Sequence, residues 1–426
     1  MPPINTLLYH VRFYYESSFG VGDYWTTEAA HWSKDVDRFA EPTKTIRDAV
    51  ASLVAPTDTD LDKARKLYTA VQALENTDFS RAKGQAEMKQ LGLHATKRAE
   101  DTWKKKSGSR QDITLLYLAM LRAAGLTAYD MKVVNRDDSL FTPTYLDFDQ
   151  LDDDVIILSL NGHEVYLDPG EKMCPFLLTH WKHAGATGVR QEATQRSIAT
   201  TPLLSYKTSS LTRLADITLD EHGTATGTIR LMMAGQDALR WRQASLQSDN
   251  AELKKSFDRW LQTMTPNGVD AHVDHFLGMD NPDAILMAVI NLHGGLATAT
   301  SKRLLLPGFF FATRNQHPFV DEAKRIEVVD MHFAETIADQ VTYHLPAGFT
   351  VEGAPQDASI PWEHEAVLAT KTKVEPGQVT ESRELLRGFT FVKAEDYPTL
   401  RTFYQKMATA DDQQLVLEAS PAAKGN

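Results

Sequence analysis

The 426-residue chain contains one cysteine, Cys174, so it can form no intramolecular disulfide and no thiolate zinc cluster. That scarcity leaves the compartment open, because many exported bacterial proteins also lack disulfides. Long hydrophobic runs are missing too: Val155–Leu160 and Leu304–Ala312 fall well short of the ~20 apolar residues that cross a bilayer. Positive charge is in deficit, with 45 Lys and Arg against 57 Asp and Glu and a net charge of −12. This argues against a nucleic-acid partner, whose phosphates require a basic face, and against adsorption to anionic lipid. The first ten residues lack the basic region, apolar core and cleavage site of a secretion signal. The chain is therefore expected to begin inside a domain, on a strand at Leu7–Tyr15.

The remaining composition, 42% hydrophobic and 24% charged, is that of a globular protein long enough to form several cores. Helical periodicity runs through Ile46–Leu53 and Leu61–Leu74 and is strongest from Asp112 to Gly125, where a glycine stops the helix. Residues 78–106 read as a polar loop carrying a surface helix. Strands are expected at Ala128–Val134, Val155–Leu160 and Glu164–Leu167, the last two joined at Asn161-Gly162, a hairpin dipeptide. A Pro/Thr/Ser-rich connector at about 190–210 marks a boundary. Beyond it come a hairpin at Leu211–Met233, a helix at Asn250–Met264, alternating segments from Glu327 to Val392 and a closing helix at Tyr397–Ala408.

The stretch Gly108-Ser109-Arg110-Gln111-Asp112, leading into that central helix, and the later Tyr166-Leu167-Asp168-Pro169 resemble the transglutaminase-like superfamily, which has a papain-type fold. In that family a Gly-x-Cys-x-Asp turn places a thiolate at a helix N-terminus, where the dipole lowers its pKa. A histidine and an aspartate on following strands act as base and orienter. The resemblance puts Arg110 at the cysteine, Gln150 at the histidine and Asp168 at the aspartate. Neither arginine nor glutamine can do the chemistry. It further implies an α+β protein whose papain-like core is flanked by antiparallel β-rich, sandwich-like domains. The divisions are a partial β segment at 1–42, the core at 43–200, a β-rich domain with one helix at 205–324 and a C-terminal β-rich domain at 325–420. The function it implies is a bacterial pseudoenzyme that binds or scaffolds a peptide, protein or envelope component in the periplasm or cell envelope. The alternative is a transglutaminase-like or peptidase-like hydrolase using Ser109 or Cys174.

No cofactor or metal is expected. His180 and His183 lack a third ligand and read as a partly exposed helical pair. On a strand, Asp270, His272 and Asp274 would share one face while His275 points away. Asp147, Asp149, Asp152, Asp153 and Asp154 lack the glycine and glutamate of a calcium loop. The remaining cleft would consist of Ser109, Arg110, Asp112 and Asp168. Because an arginine is unfavourable at a helix N-terminus, Arg110 is expected to pair with Asp168 or with the acidic run.

Overall fold

The computed structural model describes residues 2–8, 20–80, 96–193, 196–312 and 317–420, and the chain divides into two compact units, 2–204 and 205–426. Both helices and extensive antiparallel sheets are present, so the protein is of mixed α+β class with a β-rich second half. No helix among the described residues is long and apolar enough to cross a membrane.

In the first unit, α1 (Val21–Phe39) buries Trp25, Ala29, Trp32 and Val36, a spacing of three and four residues that forms one face of a helix. Among the described residues of the expected β segment at 1–42 there is no strand. Its described parts, Ile4–Leu7 and Val21–Phe39, are helical, and most of the Leu7–Tyr15 strand lies outside the described residues. The α1 stripe packs into the same core as the rest of the unit. Helices α2 (Lys44–Leu53) and α3 (Asp60–Gln72) start at Thr43 and Thr59, whose side chains accept from the amides of Ile46 and Asp62. After α4 (Ala99–Lys105) comes α5 (Arg110–Ala123), which buries every residue from Ile113 to Leu121. A helix apolar on all sides belongs at the centre, and α5 packs against α2, α3 and the sheet.

That sheet consists of β1 (Ala128–Val133), β2 (Asp153–Leu160), β3 (His163–Leu167), β4 (Thr187–Gln191) and β5 (Arg196–Thr200). Its order is β3-β2-β1-β4-β5, antiparallel throughout. The β2–β3 turn places Asn161 at φ 52° and Gly162 at φ 81°, the left-handed pair that a tight hairpin requires. Strands β4 and β5 fall largely where a connector was expected.

In the second unit, β6 (Ser210–Leu219) and β7 (Thr224–Ala234) lead into α6 (Gln236–Gln247) and α7 (Asn250–Gln262). Strands β8 (Val269–Leu277), β9 (Leu286–Gly295), β10 (Thr298–Ala299) and β11 (Arg303–Pro307) follow. Next come β12 (Glu335–His344), β13 (Phe349–Gly353), β14 (Ala358–Trp362), β15 (Ala366–Glu375) and β16 (Gln378–Arg387). The unit closes with α8 (Tyr397–Asp411) and β17 (Gln414–Ala419). One sheet runs β8-β9-β7-β6-β12-β16-β15-β14, and a smaller one runs β10-β11-β17-β13. The expected division at about 325 is absent because β6 and β12 pair in parallel, Thr336 opposite Ser210 through His344 opposite Thr218. That ladder fuses two antiparallel halves into one eight-stranded sheet.

Two bidentate ion pairs are buried in this unit: Arg213 with Asp339 (2.6 and 2.8 Å) and Arg383 with Asp411 (2.7 and 2.9 Å). The second holds the end of α8 to β16. Replacing one partner strands a buried charge. Asp411→Ala is therefore expected to destabilise the protein by about 3–5 kcal/mol in urea unfolding. The paired change Arg383→Met with Asp411→Leu is expected to recover most of that loss.

Candidate functional site

Local sequence builds the start of α5. Ser109 Oγ accepts from the Asp112 amide (3.1 Å) while Asp112 Oδ2 accepts from the Ser109 amide (3.0 Å), a reciprocal cap. The serine hydroxyl is thus committed to the helix end. The turn after β3 lies directly against this first turn. A Cβ on Gly170 would stand 2.5 Å from Thr114 Oγ1 and 2.9 Å from the Arg110 carbonyl, so only glycine allows the approach. Side chains from α3 and the residues after it hold the same segment by its backbone. The Tyr68 hydroxyl donates to the carbonyls of Asp168 and Cys174, the Gln72 amide to Pro169 and Glu171, and Asn76 to Gly170.

Around this junction six charged groups close on one another. Arg110 Nη1 donates to Asp153 Oδ1 (2.9 Å), and Arg110 Nε lies 3.1 Å from Glu171. Lys182 reaches Glu171 (2.8 Å) and Asp153 (3.5 Å). His183 is fully buried, with Nδ1 2.7 Å from Asp168 Oδ2 and Nε2 2.8 Å from Asp153 Oδ2. The His180 amide donates to Asp168 (3.0 Å), and Asp78 accepts from the Arg110 amide (2.9 Å). Three carboxylates thus face two permanent cations and one imidazole, and a protonated His183 makes the set neutral.

The electrostatics follow from this geometry. Burial opposes charge on His183, but Asp168 and Asp153 outweigh it and raise its pKa to about 9. Burial also opposes ionisation of Asp153, yet His183, Lys182 and Arg110 hold it well below the usual carboxylate range. Burial lowers His180 to about 3, leaving that ring neutral. Arg110, despite burial, is pushed further up by Glu171 and Asp153.

Arg110 therefore pairs with a member of the acidic run, Asp153, and with Glu171 as well. Gln150 takes no part: its side chain bonds backbone groups of Thr142, Tyr145 and Asp147 and closes that loop. The residue linking Arg110 to Asp168 by way of His183 is Asp153, three positions on. Of His180 and His183, expected as a partly exposed helical pair, His180 is half-buried and His183 fully buried, and neither lies in a helix. Cys174 is wholly buried, its Sγ donates to the Leu178 carbonyl (3.3 Å), and burial followed by Asp168 raises its pKa far above the ordinary thiol value. Glu171 and Lys182 have no local sequence signature. Asp153 carries one faint cue, the first of two charges opening a mostly apolar strand.

Asp168, Glu171 and His183 can each offer a metal-ligand atom, all within 4.8 Å of one another. The donor set does not fit a metal, because both His183 nitrogens are engaged by carboxylates and Lys182 and Arg110 already neutralise Glu171. The other histidine cluster also separates: His272 pairs with Asp258 of α7 and His275 with Asp274 (3.0 and 2.8 Å), with a bulge between Val273 and His275.

Residues 302–417 match a family described as a domain of unknown function with solved structure (DUF3858). No curated protein matches the chain. Among solved structures it is similar to a crystal structure titled as a "putative protease" from Parabacteroides distasonis ATCC 8503. The identity is 10% and the TM-score 0.48, covering 92% of this chain and 58% of that one. The chain thus spans less than two thirds of that protein's length.

Raising the pKa of His183 from 6.5 to about 9 corresponds to a stabilisation of about 3 kcal/mol, at 1.36 kcal/mol per unit. Because the folded value is the higher one, this contribution is complete below about pH 6.5 and is lost as pH rises through about 9. Urea unfolding across that window is expected to show the decline in the native protein and a flatter profile in His183→Asn. Equal slopes would remove the charged imidazole from the account.

Proposed function

We propose that residues 2–204 are a transglutaminase-like module of papain type that has exchanged its catalytic triad for a closed set of ion pairs. On this reading it serves as a non-catalytic binding or scaffolding element for a peptide, protein or envelope component in the bacterial periplasm or cell envelope. What carries the reading is the clamp of His183 between Asp153 and Asp168, beside Arg110 at the start of α5. An imidazole bonded through both nitrogens and charged at neutral pH has no lone pair with which to take up a proton. At the first helical position stands a guanidinium, which is no nucleophile.

The hydrolase alternative draws no support from its two candidates. Ser109 spends its oxygen on the helix cap, and Cys174 is a buried, protonated thiol without the helix N-terminus that activates such groups. The location and partner class rest on the family resemblance of the Gly108–Asp112 and Leu167–Pro169 segments alone.

The test is to incubate the full chain with a labelled primary amine and glutamine- or peptide-bearing acceptors, alongside a thiol-reactive probe under native conditions. Neither turnover nor labelling of Cys174 is expected. Turnover that disappears in Cys174→Ala or Ser109→Ala would overturn the reading. As a gain-of-function arm, Arg110→Cys with Asp153→His puts a thiol at the helix N-terminus. That variant, if its circular dichroism is unchanged, is expected to label at least ~10-fold faster than the native chain.

A further inference from the structure

The residue after Asp153 serves a different neighbourhood. Side chains alternate along a strand, and Asp154 lies opposite Lys132 of β1, whose Nζ is 3.5 Å from Asp154 Oδ2. Asp130 shares that face two residues earlier on β1. Asp130 is 0% and Asp154 3% exposed, and no N–H or hydroxyl of another described residue donates to any of their four carboxyl oxygens. The two carboxyl groups lie instead within hydrogen-bonding reach of each other. Two ionised carboxylates have no hydrogen to place in such a contact, whereas an acid and a carboxylate hold one proton there. The single remaining charge then balances Lys132.

A polar network on the same face ties α1 to the sheet. Gln191 of β4 accepts from the Asp130 amide (3.1 Å) and from Arg122 Nη2 of α5 (3.2 Å). Its own amide donates to Ser33 Oγ (2.8 Å) and Asp37 (3.2 Å) of α1. Arg122 Nη1 also donates to Asp37 (3.0 Å). The charged groups facing the acid pair are therefore Lys132 from β1, Asp153 from β2 and Arg122 from α5. From α1 come Asp37, held by Arg122, and Glu28, His31 and Asp35, which share a pocket wall with Lys132 and with Asp112 of α5. Burial followed by the Asp154 charge raises Asp130 well above the carboxylate range, and burial raises Asp154 too.

We propose that Asp130 and Asp154 form a one-proton latch: while the proton is held, α1 stays docked on the sheet, and its release as pH rises draws Arg122 from Asp37 toward Asp130 and loosens α1. Release leaves two buried negative charges against one lysine, and an uncompensated buried charge is costly. Arg122 is the further cation facing Asp130. Its present partner Asp37 has a side chain 49% exposed, and an ion pair so open to solvent is weak. The sign follows from linkage. The folded chain keeps this proton above the pH at which the unfolded chain releases it, so stability falls as pH rises from about 4. The latch is separate from the His183 cluster and does not depend on how that cluster is read.

Asp130→Asn keeps a donor for Asp154 and cannot ionise. Urea unfolding and amide hydrogen exchange of α1, with α8 as the control, are compared in the native chain and this variant between about pH 4 and pH 8. Relative to the variant, the native folding constant is expected to fall by up to about tenfold per pH unit, and the protection of α1 to fall more steeply than that of α8. A stability ratio that does not change with pH would overturn the proposal, as would α1 protection that follows α8 in both chains. If the variant does not fold, the assigned ¹³C carboxyl resonances of Asp130 and Asp154 in the native chain decide. They are expected to titrate as a coupled pair, with the later step above the ordinary carboxylate range. Two independent titrations complete by about pH 5 would sink the shared proton.

Discussion

The first unit depends on the burial of one positive charge. His183 lies without solvent contact between two carboxylates that come from opposite ends of a hairpin, Asp153 opening β2 and Asp168 closing β3. Neither acid tolerates burial alone, and the histidine would lose its charge without them. Lys182 and Arg110 complete the balance at three against three. Removing any one group leaves an uncompensated charge inside, which is far costlier than the pair is stabilising. The hairpin, the 171–183 segment and the first turn of α5 are thereby joined into one electrostatic object.

This arrangement also explains an arginine where the helix dipole disfavours one. Arg110 stands at the positive end of α5, yet Asp153 and Glu171 face its guanidinium and Asp78 its amide. The carboxylates thus offset the repulsion that the helix end would otherwise exert on the guanidinium. Adjacent residues of β2 then divide their labour by strand alternation: Asp153 belongs to this junction, and Asp154 faces Asp130 and Lys132 of β1.

The second unit reuses the same device with fewer charges. Arg213–Asp339 spans the parallel β6–β12 ladder that makes the two halves of the eight-stranded sheet continuous, and Arg383–Asp411 ties α8 to β16. The DUF3858 match at 302–417 lies wholly within this unit and takes in strands of its eight-stranded and four-stranded sheets.

Local physics made much of this legible from the residues in order. Ser109 with Asp112 three positions on is a cap whatever surrounds it, nine consecutive buried positions make a central helix, and Asn161-Gly162 can hardly be anything but a tight turn. The absence of a nucleophile at Arg110 was equally plain, because a side chain's chemistry does not depend on its fold. Tertiary structure alone decided that Asp153, and not Gln150, faces that arginine. It also decided that His183 is charged and clamped, that α1 is a helix, and that β6 pairs with β12. Each of these turns on a partner distant in sequence or on burial itself. Ion pairing, proton affinity and parallel pairing are properties of what two segments do to each other, and no periodicity within one segment encodes them.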